Sequence, residues 1–385
     1  MPQCLIIDPC LFRFGGHEYT MDEFLTKQAI QNGFTPIVLC NDRFIEKAEF
    51  PYQAIFHHSP YVSAGNSALE DKKLFIFGNK DTHNQLHHYY PIKDLEPNSL
   101  VLIHTACATI LGGIARWLLE CNRRDIRVRI VLRWGVQQRH SSLEIGTKLH
   151  QKVFGLLQKC HADIRYFMDS NCLKKHFNTI FSQEYILTPI GVDFAYAPLP
   201  PPPQPQKNLS FVFTGTPITS KGGLLLADAI LQHIQKYPED TFVLHICGIA
   251  PDELEDFRQL PSHNVCLVEQ YLNGLDYFNH ILSADVALIP YSPQFYFLRT
   301  SHILLESLGM GRAVITSQHP WMVELMENLP QPCGVSMTEW SVEGLVDALD
   351  RFHERSWEYR RGAHAVAPFI QNTHNAQNWW NIIIS

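Results

Sequence analysis

Short β-branched runs alternate with longer stretches of helical periodicity along the whole chain, which is the grammar of βα units and a mostly parallel sheet. In the first half, residues 4–7, 36–39, 74–77, 100–104 and 128–132 predict strands. Between them, residues 21–32 place Met21, Phe24, Leu25 and Ala29 on one helical face, and residues 110–120 and 146–160 read the same way. Residues 197–206 then hold six prolines in ten positions, which suits neither a helix interior nor a central strand. Alternation resumes beyond them, with strands at 209–213, 241–247, 264–268, 286–289 and 313–316 and helices at 223–237, 275–282 and 302–308. The pattern predicts an α/β chain of two domains, 1–196 and 208–385, joined by a proline-rich linker at 197–207.

Composition narrows the function classes. Hydrophobic residues make up 45% of the 385 and charged residues 18%, enough apolar material for two cores and too much for a disordered chain. Lys and Arg number 31 against 38 Asp and Glu, a net charge of −7, which argues against a general nucleic-acid binder and leaves room for a local basic pocket. Ten cysteines are scattered without a C-x-x-C pair, mostly inside apolar runs, as in a reducing compartment. The opening Met1-Pro2-Gln3-Cys4-Leu5-Ile6-Ile7-Asp8 lacks a basic leader region and reads as a strand, so a cytoplasmic chain without a signal peptide is expected. The apolar run 100–115 is 16 residues long and contains His104, too short and too polar to span a bilayer; at most peripheral membrane association is expected.

Three strand–loop–helix junctions carry the candidate chemistry. Phe14-Gly15-Gly16-His17-Glu18 follows the first strand, where glycines let backbone N–H groups approach an anion at a helix N-terminus. In 213–223, Gly215 and Thr216 precede Lys221 at the mouth of a helix, so its ammonium is placed to neutralise a diphosphate. Further on, Arg299-Thr300-Ser301-His302 leads into a helix whose only carboxylate, Glu306, lies among Leu304, Leu305 and Leu308; a carboxylate there calls for a partner or a ligand. Gly309-Met310-Gly311 follows a helix and precedes a strand, so it is no dinucleotide fingerprint, and a nicotinamide enzyme is not supported.

Taken in order, these elements resemble the GT-B glycosyltransferases, in particular the retaining family 4 (group 1) type. The GG-x-E loop of that family is matched by Gly15-Gly16-His17-Glu18, and its P-N-G-V-D signature by Pro189-Ile190-Gly191-Val192-Asp193. Its G-R-L-x-x-x-K-G loop is matched by residues 215–222, and its E-x-F-G-x-x-x-x-E-A-M-A-x-G-x-P-V segment by residues 298–314.

The resemblance implies two Rossmann-like domains facing each other across a cleft, a last helix around Trp379-Trp380 returning to the first domain, and metal-independent transfer of a sugar from a nucleotide-diphosphate donor to an unidentified acceptor. It assigns donor binding to Gly15, Gly16, Gly215, Thr216, Lys221, Arg299, Ser301, His302 and Glu306, and catalysis to Lys221, Arg133 and His104. No cofactor and no metal are implied. Three departures stand out: Thr216 and Leu298 replace the usual arginine and first glutamate, and Arg133-Trp134 stands where a histidine often ends the strand. Arg133 is then a candidate source of positive charge, and His104 a candidate catalytic or core imidazole. The losses keep open a second reading, a GT-B shell that binds a nucleotide, glycan or protein without turnover. His83, His87 and His88 include the i, i+4 spacing of metal ligands, yet no carboxylate or cysteine stands close in sequence, and no metal site is expected. No G-x-S-x-G or H-E-x-x-H occurs, which removes the simplest hydrolase readings.

Overall fold

The computed structural model describes residues 1–14, 16–60, 67–194, 199–246, 251–270, 272 and 274–385. The chain divides into two compact units, Met1–Gly191 with Ala376–Ser385, and Val192–Asn375. In unit 1 the order is β1 (Gln3–Asp8), α1 (Gly16–Gln31), β2 (Thr35–Asn41), β3 (Tyr52–Phe56), α2 (Ala68–Tyr89), β4 (Leu100–Ala106), α3 (Ala108–Leu119), β5 (Arg127–Leu132), α4 (Leu143–Leu157), β6 (Asp163–Met168), α5 (Asn171–Asn178) and β7 (Tyr185–Leu187). All seven strands pair in parallel, in the order β3-β2-β1-β4-β5-β6-β7. Parallel strands need crossovers, and burial on both faces explains why β1 and β4 are unbroken apolar runs rather than alternating ones.

Unit 2 repeats the plan with β8 (Ser210–Phe213), α6 (Gly223–Lys236), β9 (Thr241–His245), α7 (Pro251–Arg258), β10 (Val265–Val268), α8 (Gly274–Leu282), β11 (Val286–Ile289), α9 (Pro293–Tyr296), α10 (His302–Gly309), β12 (Ala313–Thr316), α11 (Pro320–Glu327), β13 (Gly334–Ser336), α12 (Val342–Glu354) and α13 (Ser356–Thr373). Its six strands are again parallel, ordered β10-β9-β8-β11-β12-β13. The last helix, α14 (Ala376–Ile384), belongs to unit 1, where Trp379, Trp380 and Ile383 are fully buried with Leu25, Phe34 and Phe167. Arg129 holds that helix in place, donating from Nε to the Ile383 carbonyl (2.9 Å) while its Nη2 pairs with Asp163 (2.9 Å).

Two sequence expectations change. Residues 74–77 are not a strand but lie inside α2, capped by Ser67. The face α2 buries is built from Gly78, Asn79, Thr82 and Leu86, whereas Ile76 and Phe77 are 65% and 53% exposed. The apolar run therefore marked the solvent face, and small and polar residues marked the contact. The proline-rich segment is tied to unit 2 rather than free: the carbonyls of Pro200 and Gln204 accept bonds from His364 and Arg360 of α13. Among the described residues no disulfide joins the cysteines, and no helix is long and apolar enough to cross a membrane.

Candidate functional site

In unit 2 the predicted residues gather at the carboxyl ends of β8 and β11, where open parallel sheets hold ligands. After β8 the chain passes Gly215 at φ 117°, and a side chain there would begin 2.7 Å from the Lys221 ammonium. Gly222, at φ 83°, ends a single 3-10 turn over Thr219–Lys221, and a Cβ on it would run into the Pro290 carbonyl. Only glycine meets both demands. The Ser292 amide donates to the Ser220 carbonyl (2.9 Å), so the β8 loop is tied to the segment after β11. Lys221 Nζ lies 5.9 Å from the ring centroid of buried Tyr291.

Glu306 stands on α10 and accepts a 2.6 Å bond from the Tyr277 hydroxyl of α8. Burial and the Glu306 carboxylate push the Tyr277 hydroxyl well above the usual phenol range; burial does the same to Tyr291, with added repulsion from Tyr296 and Glu306. Both phenols are therefore neutral donors at physiological pH. Ser301 caps α10, its hydroxyl accepting from the Leu304 amide (3.3 Å), and half-buried His302 opens the helix. The Arg299 guanidinium lies 4.5 Å from the Tyr296 ring centroid. Thr216 is half-buried on the β8 loop, and Leu298, in the place of the missing glutamate, is only 4% exposed, packed as a core residue.

Unit 1 ends its strands differently. Asp8 closes β1 fully buried, its Oδ1 accepting from the Thr105 hydroxyl (2.8 Å) and the Cys10 amide (2.9 Å). His104 on β4 is equally buried, with Nε2 2.7 Å from Asp22 Oδ1 and 3.5 Å from Asp8 Oδ2. Burial, reinforced by the neighbouring Asp22 carboxyl, pushes Asp8 up to about 7; burial also drives Asp22 well above the carboxylate range and lowers His104 to about 4. Two buried carboxyls and a buried imidazole favour neutral forms, and Asp8 Oδ2, Asp22 Oδ2 and His104 Nδ1 are buried without a hydrogen-bond partner among the described residues. The donor atoms of the three converge within 4.8 Å, so among the described residues this is also a set whose spacing admits a metal ion.

Arg133, following β5, is 9% exposed and lies 4.0 Å from Asp169. Its charge reaches Asp22 and His104. Gly16 opens α1 at φ 79°, five residues before the expected helix start, with Glu18 and His17 paired at 2.8 Å; Gly15 lies outside the described residues. The predicted catalytic trio thus divides: Arg133 and His104 share one cluster, while Lys221 belongs to unit 2. His104 is a core imidazole here, bonded to carboxyls rather than turned to solvent.

Residues 208–355, all within unit 2, match the family described as glycosyl transferases group 1. Solved structures extend the likeness over the whole chain. A sucrose-phosphate synthase from Thermosynechococcus elongatus superposes with a TM-score of 0.66 at 14% identity, covering 99% of this chain and 96% of that one. The chain has the GT-B fold, and within it residues 208–355 carry the glycosyltransferase likeness. The chain is similar also to Anabaena HepE, solved in complex with UDP and glucose (TM-score 0.64, 14% identity, 100% of this chain and 98% of that one). A UDP-forming trehalose-phosphate synthase from Burkholderia xenovorans gives a TM-score of 0.68 at 12% identity, over 100% and 98%. No curated protein matches the chain in sequence.

The sequence reading missed Asp8, Asp22 and Tyr277. Asp8 had a signal, a carboxylate ending an apolar strand, and Asp22 another, its place beside Met21 and Leu25 on the buried face of α1. Nothing in the sequence near Tyr277 points to Glu306, which is 29 residues away.

Proposed function

We propose that this protein moves a sugar from a uridine diphosphate donor to an acceptor still to be identified, without a metal ion and with retention at the anomeric carbon. The carrying observation is the single constellation in unit 2 of Lys221, Gly215, the capped start of α10 and Glu306. Lys221 and the backbone N–H groups at Ser301-His302 stabilise negative charge growing on the departing diphosphate, the electrostatic role a metal ion serves elsewhere. Glu306 accepts hydrogen bonds from the ribose hydroxyls, its carboxylate held by Tyr277. Arg299 supplies charge where Thr216 has replaced an arginine. Arg133 lends positive potential in unit 1, and His104 acts as a positioning residue behind it. Uridine is preferred because HepE has been solved with UDP and UDP-glucose, and the Burkholderia enzyme is UDP-forming. Retention rests on the family resemblance alone.

Buried Leu298 favours the second reading, binding without turnover, because the hydrophobic side chain removes one sugar contact. Nucleoside diphosphate release from a panel of nucleotide sugars, with chelator present and cell-extract glycans and lipids as acceptors, separates the two. Acceptor-dependent UDP release supports transfer; tight donor binding with no release in any pool supports the binding reading.

A further inference from the structure

α2 and α3 are packed so closely that their side chains have fixed origins. A Cβ on Gly113 would lie 2.5 Å from the Asn79 carbonyl and 2.9 Å from the His83 nitrogen, so the two backbones touch there. The Asn79 side chain spans the pair, accepting from the Gly113 amide (2.7 Å) and donating to the Ala108 carbonyl (3.0 Å). One turn further on, Trp117 Nε1 donates to the Tyr90 carbonyl (2.8 Å) and fastens the end of α2.

Just past these locks, three metal-binding side chains meet. His83 Nε2 lies 2.7 Å from Glu120 Oε1, and His87 Nδ1 lies 2.8 Å from the same oxygen and 2.9 Å from Oε2. The two imidazoles stand one turn apart on α2 with ring planes 26° from parallel, while Glu120 caps the end of α3. On its far side, His83 Nδ1 lies 3.4 Å from Asn84 Oδ1. In the tautomer with its proton on Nδ1, His83 presents an Nε2 lone pair beside the Glu120 carboxylate, the pairing a metal ion takes. An outer acceptor that orients a histidine is the usual companion of a metal ligand.

We propose that His83, His87 and Glu120 bind Zn²⁺, which pins the end of α2 to the end of α3. Two imidazoles and one carboxylate suit zinc, with water in the fourth position. The ligands are partly exposed, His87 at 63%, so the ion has an entry path, and a turn of the His87 ring draws its nitrogen onto the metal. The site lies where α2 and α3 both end, toward the amino ends of the strands and away from Asp8 and His104, and takes no part in sugar transfer.

The test titrates Zn²⁺ alone into the full chain, freed of metal by chelator, and follows heat and melting temperature. Saturable uptake of one ion with a rise in melting temperature is expected. Removing an outer partner already costs about 10–100-fold in affinity, so His87→Ala and Glu120→Gln are each expected to lose at least tenfold. His88→Ala, next in sequence but outside the cluster, should bind as the parent does, as should Cys121→Ser. X-ray absorption at the zinc edge should show imidazole and oxygen ligands at about 2.0–2.2 Å rather than sulfur at about 2.3 Å. No saturable uptake, unchanged uptake in His87→Ala, loss in Cys121→Ser, or a sulfur shell would each overturn the proposal. His87 is mostly exposed and its removal should leave the fold intact, so a loss of zinc binding reports on the site.

Discussion

Asp8 ends the first strand of unit 1 and Lys221 follows the first strand of unit 2, yet the two positions meet opposite surroundings. Around Asp8 the strand ends are filled by Asp22, His104 and Thr105, all buried, so the polar groups answer one another. Around Lys221 stand two left-handed glycines, an aromatic ring and a capped helix start. The same βα grammar thus yields a buried titratable cluster in one unit and, on the function proposed above, the nucleotide site in the other. Titration should belong to the first and nucleotide affinity to the second.

The sharpest way to break that contrast is Asp22→Ala. It strips His104 of its closest partner, and leaving a buried polar group without its hydrogen bond costs about 1–3 kcal/mol. Chemical denaturation should register a loss of that size. A variant as stable as the parent would mean that Asp22 does not hold the cluster together.

Lys221→Ala should act the other way round, leaving stability within about 0.5 kcal/mol, as surface changes do. Affinity for UDP should fall by about 1.5–3 kcal/mol, tenfold or more, the range for hydrogen bonds to charged groups, while uridine binds as before. Equal losses for both ligands, measured by calorimetry, would show that the lysine acts through folding rather than on phosphate.

What could be read without coordinates follows the same divide. Gly215, Lys221, Ser301 and Glu306 were legible because a loop that presents backbone and charge to a ligand must place fixed residue types at fixed spacing. The unit 1 cluster was not, because Asp8, Asp22 and His104 come from three separate elements, and only pairing of β1 with β4 and packing of α1 bring them together. The strands read from apolar runs held where the run was buried, as in β1, β4 and β11. They failed at 74–77, where the helix contact is carried by Gly78 and Asn79, and missed β3, β6, β7 and β13, the last two only three residues each. The Glu120 partner of His83 was invisible for a related reason: it lies 37 residues away on another helix.

A finer test of the comparison uses pH. Asp8 has a folded pKa near 7, above its ordinary 3.8, so its contribution is full below about pH 4 and is lost as pH rises toward 7. His104 has a folded pKa near 4, below its ordinary 6.5, so its contribution is present above about pH 6.5 and is lost as pH falls toward 4. The two oppose each other across one window, each by up to about 1.4 kcal/mol per pH unit, and Asp22 adds to the carboxyl side. His104→Asn should therefore make stability fall more steeply with rising pH between 4 and 7, and Asp8→Asn should flatten that fall. Parallel pH profiles for parent and both variants would show that these groups keep ordinary pKa values.

The smallest effect expected is at Tyr277, which touches Glu306 rather than the nucleotide. Its hydroxyl is held neutral by burial and by the adjoining carboxylate, so it donates to Glu306 Oε2 across the physiological range and fixes the carboxylate plane. Tyr277→Phe keeps the ring and its packing against Phe278 while freeing that plane to turn. Coupling between residues in one hydrogen-bond network runs from about 0.5 kcal/mol upward, which corresponds here to a threefold to tenfold loss of UDP affinity with little change in melting temperature. A positioning role makes one more demand than a packing role does. In a Glu306→Gln background, where there is no carboxylate to orient, the Tyr277→Phe change should cost nothing further. Additive losses in that double-mutant cycle would mean that Tyr277 reaches the nucleotide without Glu306, and that the carboxylate is oriented by other contacts.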